Sequence, residues 1–159
     1  MTVTAERLLA TLGKVAGEPE VRAILRDLDL PEEAPRIVDG VSNAVEATKH
    51  GVALFFRTAH HLRNVEALKG LPPETSIVSD ITFSRRGFGG GPGFSGNLPY
   101  DLDFSETRDA VRERLGPPSW SSPIVANDKW DFADRYLTVA FFSKRPGIGQ
   151  VTCGLPWVL

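Results

Sequence analysis

Gly91-Pro92-Gly93-Phe94-Ser95-Gly96 carries the spacing G-x-G-x-x-G. In a dinucleotide fingerprint those glycines follow a strand and open directly into a helix, whose N-terminus holds the pyrophosphate. Here a strand-like run precedes them, but Asn97-Leu98-Pro99-Tyr100 follows. Pro99 biases Leu98 away from helix. The segment therefore reads as a mobile connector that binds no nucleotide. The other reactive side chains are few. Of the three histidines, His50 falls in a turn, and the adjacent His60 and His61 cannot share one face of a helix or strand. No metal-ligand spacing results. Cys153 is the single cysteine and sits among strand-forming neighbours, which suits a small core residue. Asp101 and Asp103 flank Leu102; in an extended segment both carboxylates point to one side, with Leu102 and Phe104 on the other. That pattern suits a solvated strand edge better than an acid–base pair. No catalytic residue, cofactor or metal is expected.

The elements around these residues are legible from periodicity. Thr4 can cap a helix running to about Lys14. A second helix starts at Pro19, buries Val21, Ile24, Leu25 and Leu28 at i, i+3, i+4, i+7 spacing, and stops before Pro31. NAVEATKHGVALFFR predicts a hairpin, with Gly51 taking positive φ in the turn. Leu62, Val65 and Leu68 predict a short helix, and TSIVSDITFSRR a strand. Ser105 is expected to cap the helix ETRDAVRERL, which Gly116 ends. DKWDFAD, RYLTVAFFSK and GIGQVTCGL predict three more strands. Trp130, Phe132, Phe141 and Phe142 are expected in the core, while Trp157 either covers a sheet edge or joins an interface.

The 159 residues suffice for one domain with its own core. The net charge of −2 and the scattered basic residues argue against nucleic-acid binding. The pairs Arg85-Arg86 and Lys144-Arg145 read as solvated turns. No apolar run reaches the roughly 18 residues of a membrane span, and the start lacks the pattern of a secretory signal. A cytoplasmic location is expected, and a lone cysteine agrees with a reducing compartment.

The two halves follow one pattern. VRAILRDLDLP aligns with RDAVRERLGPP, and VEATKHGVALFF with WDFADRYLTVAF. Val45 then matches Trp130, Val52 Leu137, Leu54 Val139 and Phe56 Phe141. The expected fold is α+β: one domain of two related helix–hairpin–strand units, residues 18–84 and 101–155, joined by the glycine-rich loop 85–100. An antiparallel sheet, buried on one face and wet on the other, packs against the helices.

GNLPYDLDFSETRDAVRERLGPP, with DKWDF after it and EATKHGVALFF before it, resembles a family of small bacterial proteins. These are immunity proteins encoded beside polymorphic secreted toxins. The resemblance spans about residues 18–155. AHHLRNVEALKGLPP and the extra glycines of the loop depart from the pattern. It implies a protein that neutralises one cognate toxin by steric occlusion, with no catalytic residue or cofactor. Against a basic nuclease site, acidic residues would steer association. The densest acids are Asp27, Asp29, Glu32 and Glu33, with Asp39 nearby, and then Asp101 and Asp103; these six besides Asp39 are the candidate toxin-binding residues. An adaptor or chaperone for a secreted effector fits the same surface. An enzyme fits less well, because no constellation of reactive residues emerges.

Overall fold

A computed structural model describes residues 2–37 and 42–158; Asp39 lies outside them. Helix α1 (Ala5–Leu9) is capped by the Thr4 side chain, which accepts a hydrogen bond from the Arg7 amide. It ends earlier than Lys14. Residues 13–16 instead run beside the start of β3 (Ser76–Ser84): Gly13 N–H donates to Val78 O, Val78 N–H to Lys14 O and Ala16 N–H to Ser76 O. Among the described residues no strand pairs with that stretch of β3 on this side, and chain 13–16 satisfies its backbone groups there.

Helix α2 (Pro19–Asp27) buries Val21, Ile24 and Leu25, and its C-cap Leu28 is buried too. It stops before Pro31 can act. Asp29 takes a left-handed φ of 59°; Leu30 N–H donates to Leu25 O and Asp29 N–H to Arg26 O. This is a Schellman ending with Asp in the position glycine usually takes.

The hairpin forms as expected. Strands β1 (Asn43–Ala47) and β2 (Val52–Thr58) are joined by a 3₁₀ turn and Gly51 at φ 66°. The helix expected over Leu62–Leu68 is replaced by two 3₁₀ turns, Ala59–Leu62 and Glu66–Leu68. Leu62, Val65 and Leu68 recur every three residues, which is the 3₁₀ period. They pack in a small second core with Ala59, Ile77 and Leu155.

Helix α3 (Arg108–Leu115) is capped by Thr107, which accepts from the Ala110 amide, and not by Ser105. Ser105 is held by Asp103, whose Oδ1 accepts from both its amide and its hydroxyl. The two-residue β4 (Trp120–Ser121), which had no sequence signal, follows. Then come β5 (Asn127–Asp131), β6 (Tyr136–Phe141) and β7 (Ile148–Gly154). Among the described residues, seven strands form one antiparallel sheet in the order β1-β2-β3-β7-β6-β5-β4. The chain is therefore α+β.

The main core joins α1, α2 and α3 to Leu54, Ile81, Phe83, Val139, Leu137, Val151 and Cys153 of the sheet. The other face is less wet than the alternation suggested. Asp80 and Thr82 of central β3 are buried on it, with Asp80 bonded by Arg57 and Tyr136 and Thr82 by Thr152. No described helix is long and apolar enough to cross a membrane.

The glycine-rich segment is anchored to the fold. Phe94 packs edge-on against Phe83 at 4.9 Å between centroids, and its amide donates to Ser84 O. A Cβ on Gly93 would stand 2.4 Å from the Arg86 nitrogen, and one on Gly91 would meet Thr48 O at 2.4 Å. Close backbone approach therefore accounts for these two glycines. A 3₁₀ turn, Pro99–Asp101, follows before α3. Gly93→Val is expected to lose about 1–3 kcal/mol through positive-φ strain and this clash. Thermal unfolding would measure it against Gly89→Ala, where a Cβ meets nothing within 4 Å. Equal midpoints for the two variants would mean that the loop is not anchored at Gly93.

Candidate binding surface

The predicted acids fall in two groups. Asp27 is paired with Arg7 at 2.8 Å, and Glu32 with Arg26 at 2.8 Å and Arg22 at 3.5 Å. The hydrogen bond from Arg26 is the main reason the Glu32 carboxyl lies below its ordinary range, and it prevails over the opposing effect of burial. Asp29 lies 3.6 Å from His50 Nε2, and Glu33 is exposed. The end of α2 thus gathers four acids, two of them neutralised within the chain. In the second group, Asp101 has a left-handed φ of 54° and closes a 3₁₀ turn. Segment 101–104 is therefore not an extended strand edge. Asp103 is held below its ordinary range by hydrogen bonds from Ser105.

Two clusters deep in the sheet look chemical and are closed. Asp80 accepts from Arg57, from the Ser79 hydroxyl at 2.6 Å and from the Tyr136 hydroxyl. Burial, and then the Asp80 charge, raise the Tyr136 phenol, which keeps its proton and donates it. Trp157 lies over the Arg57 guanidinium at 3.8 Å, so it covers this cluster and stays part-exposed. Asp128 is the second such group: Arg108, Arg112 and Ser121 all bond its carboxylate. Neither carboxylate is open to a substrate. His61 Nδ1 sits 2.9 Å from Val158 O, and its ring meets His60 edge-on. Burial pushes the Cys153 thiol up to about 12, against the pull of nearby Arg135.

The exposed apolar side chains lie elsewhere. Trp120, Ile124 and Val125 are 53%, 90% and 53% exposed, all within β4 and the turn leading to β5. Edge strand β4 pairs only with β5, through Trp120↔Lys129 and Ser121↔Asp128. The turn is rigidly built: the Ser122 hydroxyl accepts from the amides of Ile124 and Val125, and Phe141 N–H donates to Ala126 O. A preformed turn loses little entropy on binding. At the other end of β5, Phe132 stacks on Tyr100 at 5.2 Å; both rings are over a third exposed, and Asp101 adjoins Tyr100. Phe132 is therefore a surface residue and not core. Trp130 and Phe141 are buried as expected, and Phe142 is half-buried.

Sequence reasoning missed Trp120, Ile124 and Val125. A signal existed: SWSSPIVAND places large apolar residues in a Ser/Pro-rich stretch, where no helix or strand would bury them. Of the basic pairs Arg85-Arg86 and Lys144-Arg145, all but Arg85 are exposed, in keeping with solvated turns. Arg145 Nη2 lies 3.5 Å from Arg86 O, and both Arg85 and Arg145 approach the Phe142 ring, so the two pairs form one corner. Comparison with protein-family models, curated proteins and solved structures finds no match to this chain.

Proposed function

We propose that this chain is a non-catalytic protein-binding module of the immunity type, which neutralises a cognate secreted toxin in the cytoplasm by stoichiometric occlusion. The observation that carries the reading is the exposed apolar group formed by Trp120 on edge strand β4 and by Ile124 and Val125 on the hydrogen-bonded turn after it. Isolated exposed apolar residues are ordinary, but an aromatic and two aliphatic side chains in one short segment mark a binding surface. Occlusion needs about 800 Å² of complementary surface per partner and no reactive side chain. Asp101, beside the Tyr100–Phe132 pair, and the less paired acids Asp29 and Glu33 are the candidates for steering. The test co-expresses the chain with the toxin candidate encoded next to it. Protection should saturate at one chain per toxin. Trp120→Ala with Ile124→Asp should weaken the purified complex at least thirtyfold, the effect of losing one interface hot spot of about 2 kcal/mol. Cell death regardless of the chain, with no complex between the purified pair, would rule this function out.

The duplicated helix–hairpin–strand unit is part of the same proposal, and the strand registers support it. Thr82 and Thr152 face each other where β3 meets β7. A half-turn about that pair carries Ile81 to Val151 and Phe83 to Cys153. It then carries Val52, partner of Phe83, to Leu137, partner of Cys153; Leu54 likewise goes to Val139. The register shifts after Phe55 in β2 and after Ala140 in β6, which are matching positions. Only the first strand of each hairpin slips: Trp130, opposite Leu137, matches Ala47, opposite Val52, and not Val45. An experimental structure with the two shifts at unmatched positions would remove this support.

A further inference from the structure

The basic corner lies beside the apolar turn. Arg85 leaves the end of β3, and its amide donates to Gly149 O, extending the pairing with β7. Lys144 and Arg145 lie in the turn between β6 and β7. The Arg145 guanidinium is 4.0 Å from the Phe142 centroid and that of Arg85 is 5.5 Å away, while Phe88 meets the same ring edge-on at 5.7 Å. Arg85 also donates to Phe104 O at 3.0 Å. Among the described residues, none of Arg85, Arg86, Lys144 and Arg145 forms a salt bridge, and the last three are exposed. Two acids are close by: Asp103, which Arg85 stabilises weakly and Ser105 mainly, and Asp109, which shares a small groove of about 290 Å³ with Arg145. Ala126, the residue after the apolar turn, lines that groove together with Phe141 and Phe142. Apolar turn and basic corner are thus continuous.

We infer that this end of the sheet receives an acidic segment of a partner protein, with Trp120, Ile124 and Val125 taking its apolar contacts and Arg86, Lys144 and Arg145 its carboxylates. The inference rests on the binding reading above and gives the partner's contact surface a sign. At this end of the sheet it reverses the expectation that acids on this chain meet a basic site; Asp27 and Glu32 are satisfied within the chain, and Asp29, Glu33 and Asp101 would steer only a basic region elsewhere on the partner. Exposed basic side chains without a salt-bridge partner attract carboxylates, and a partner that supplies them is electrostatically complementary. A single-stranded nucleic acid is the weaker fit. Base stacking along a strand needs successive free aromatic faces; Trp120 is exposed, but guanidinium groups already approach the Phe142 ring.

The test titrates the full chain with an octaglutamate peptide, an octalysine peptide and a dT12 oligonucleotide, following backbone amide shifts by NMR. Octaglutamate should shift amides at 85–88, 124–126, 142–145 and 147, and should bind at least tenfold more weakly at 300 mM than at 50 mM salt. Arg86→Glu with Lys144→Glu should abolish those shifts; Arg36→Glu with Lys49→Glu should leave them unchanged. Lys144→Glu alone, weakening binding severalfold, serves if the double variant unfolds. Shifts spread over the whole surface, no binding, or tighter dT12 binding at the same amides would each overturn the inference. Failure here while the chain still neutralises its toxin would remove only the acidic-partner inference. Loss of neutralisation with octaglutamate still bound would remove the toxin reading instead.

Discussion

Trp130→Ala is expected to lower the stability of this chain by about 3–5 kcal/mol, the cost of emptying a large core site. Trp130 is 3% exposed in the main core and lies opposite Leu137. Its indole N–H also donates to Gly116 O at 3.0 Å, the carbonyl at the C-cap of α3. The substitution therefore opens a cavity and leaves that acceptor without its partner. Against a typical domain stability of about 5–15 kcal/mol, the loss should be plain in urea unfolding. Trp130→Phe keeps most of the packing and loses the hydrogen bond, so it should cost about 1–3 kcal/mol. An unchanged midpoint for the alanine variant would mean that Trp130 does not anchor α3.

The second large effect is at Asp128, which fastens the other end of the same helix. α3 buries only Val111, so little apolar surface holds it to the sheet. Instead, Arg108 and Arg112, one turn apart, both reach the fully buried Asp128 carboxylate, at 2.6 and 2.7 Å at their closest. Burial alone would raise this carboxyl. Hydrogen bonds from Arg112, Arg108 and Ser121 overcome that and hold it far below the ordinary range. Removing one partner of a buried ion pair costs about 3–5 kcal/mol. Here both guanidinium groups are about a third exposed and can turn to water. Asp128→Ala is accordingly expected to cost about 2–4 kcal/mol, still large for a single site.

The pH dependence follows from the same carboxyl. Its pKa is lower in the folded than in the unfolded chain, where it titrates near about 3.9. As pH falls, the unfolded state takes up the proton first. The contribution of Asp128 is thus complete above about pH 5 and drains away below about pH 4, towards the depressed folded value. Asp128→Asn should flatten the acid side of the stability–pH curve in that window. An acid limb as steep as that of the parent chain would assign acid unfolding to other carboxylates.

Elements built from short-range pattern were legible in the sequence. The stripe Val21–Leu28 can be apolar on one side only as a helix, and it is buried in α2. Gly51 needs positive φ in a turn whichever fold surrounds it. The strands of the second half follow from alternation, because a two-residue period cannot be satisfied by a helix. Helix ends were less legible: Asp29 and Thr107 won over Pro31 and Ser105 through hydrogen bonds that depend on local geometry. Tertiary structure alone decided the rest. The early end of α1 reflects backbone groups of β3 that needed partners, 60 or so residues away in the chain. Why residues 91 and 93 are glycine was decided by Thr48 and the Arg86 backbone packed against them. Asp27 and Glu32 are acids in any sequence, and whether they face solvent or an arginine depends on which helix packs beside them. Arg85-Arg86 and Lys144-Arg145 are separate pairs in the chain. They become one charged corner because β3 and β7 are neighbours in the sheet, and strand adjacency of that kind is written in long-range registry and not in any local pattern.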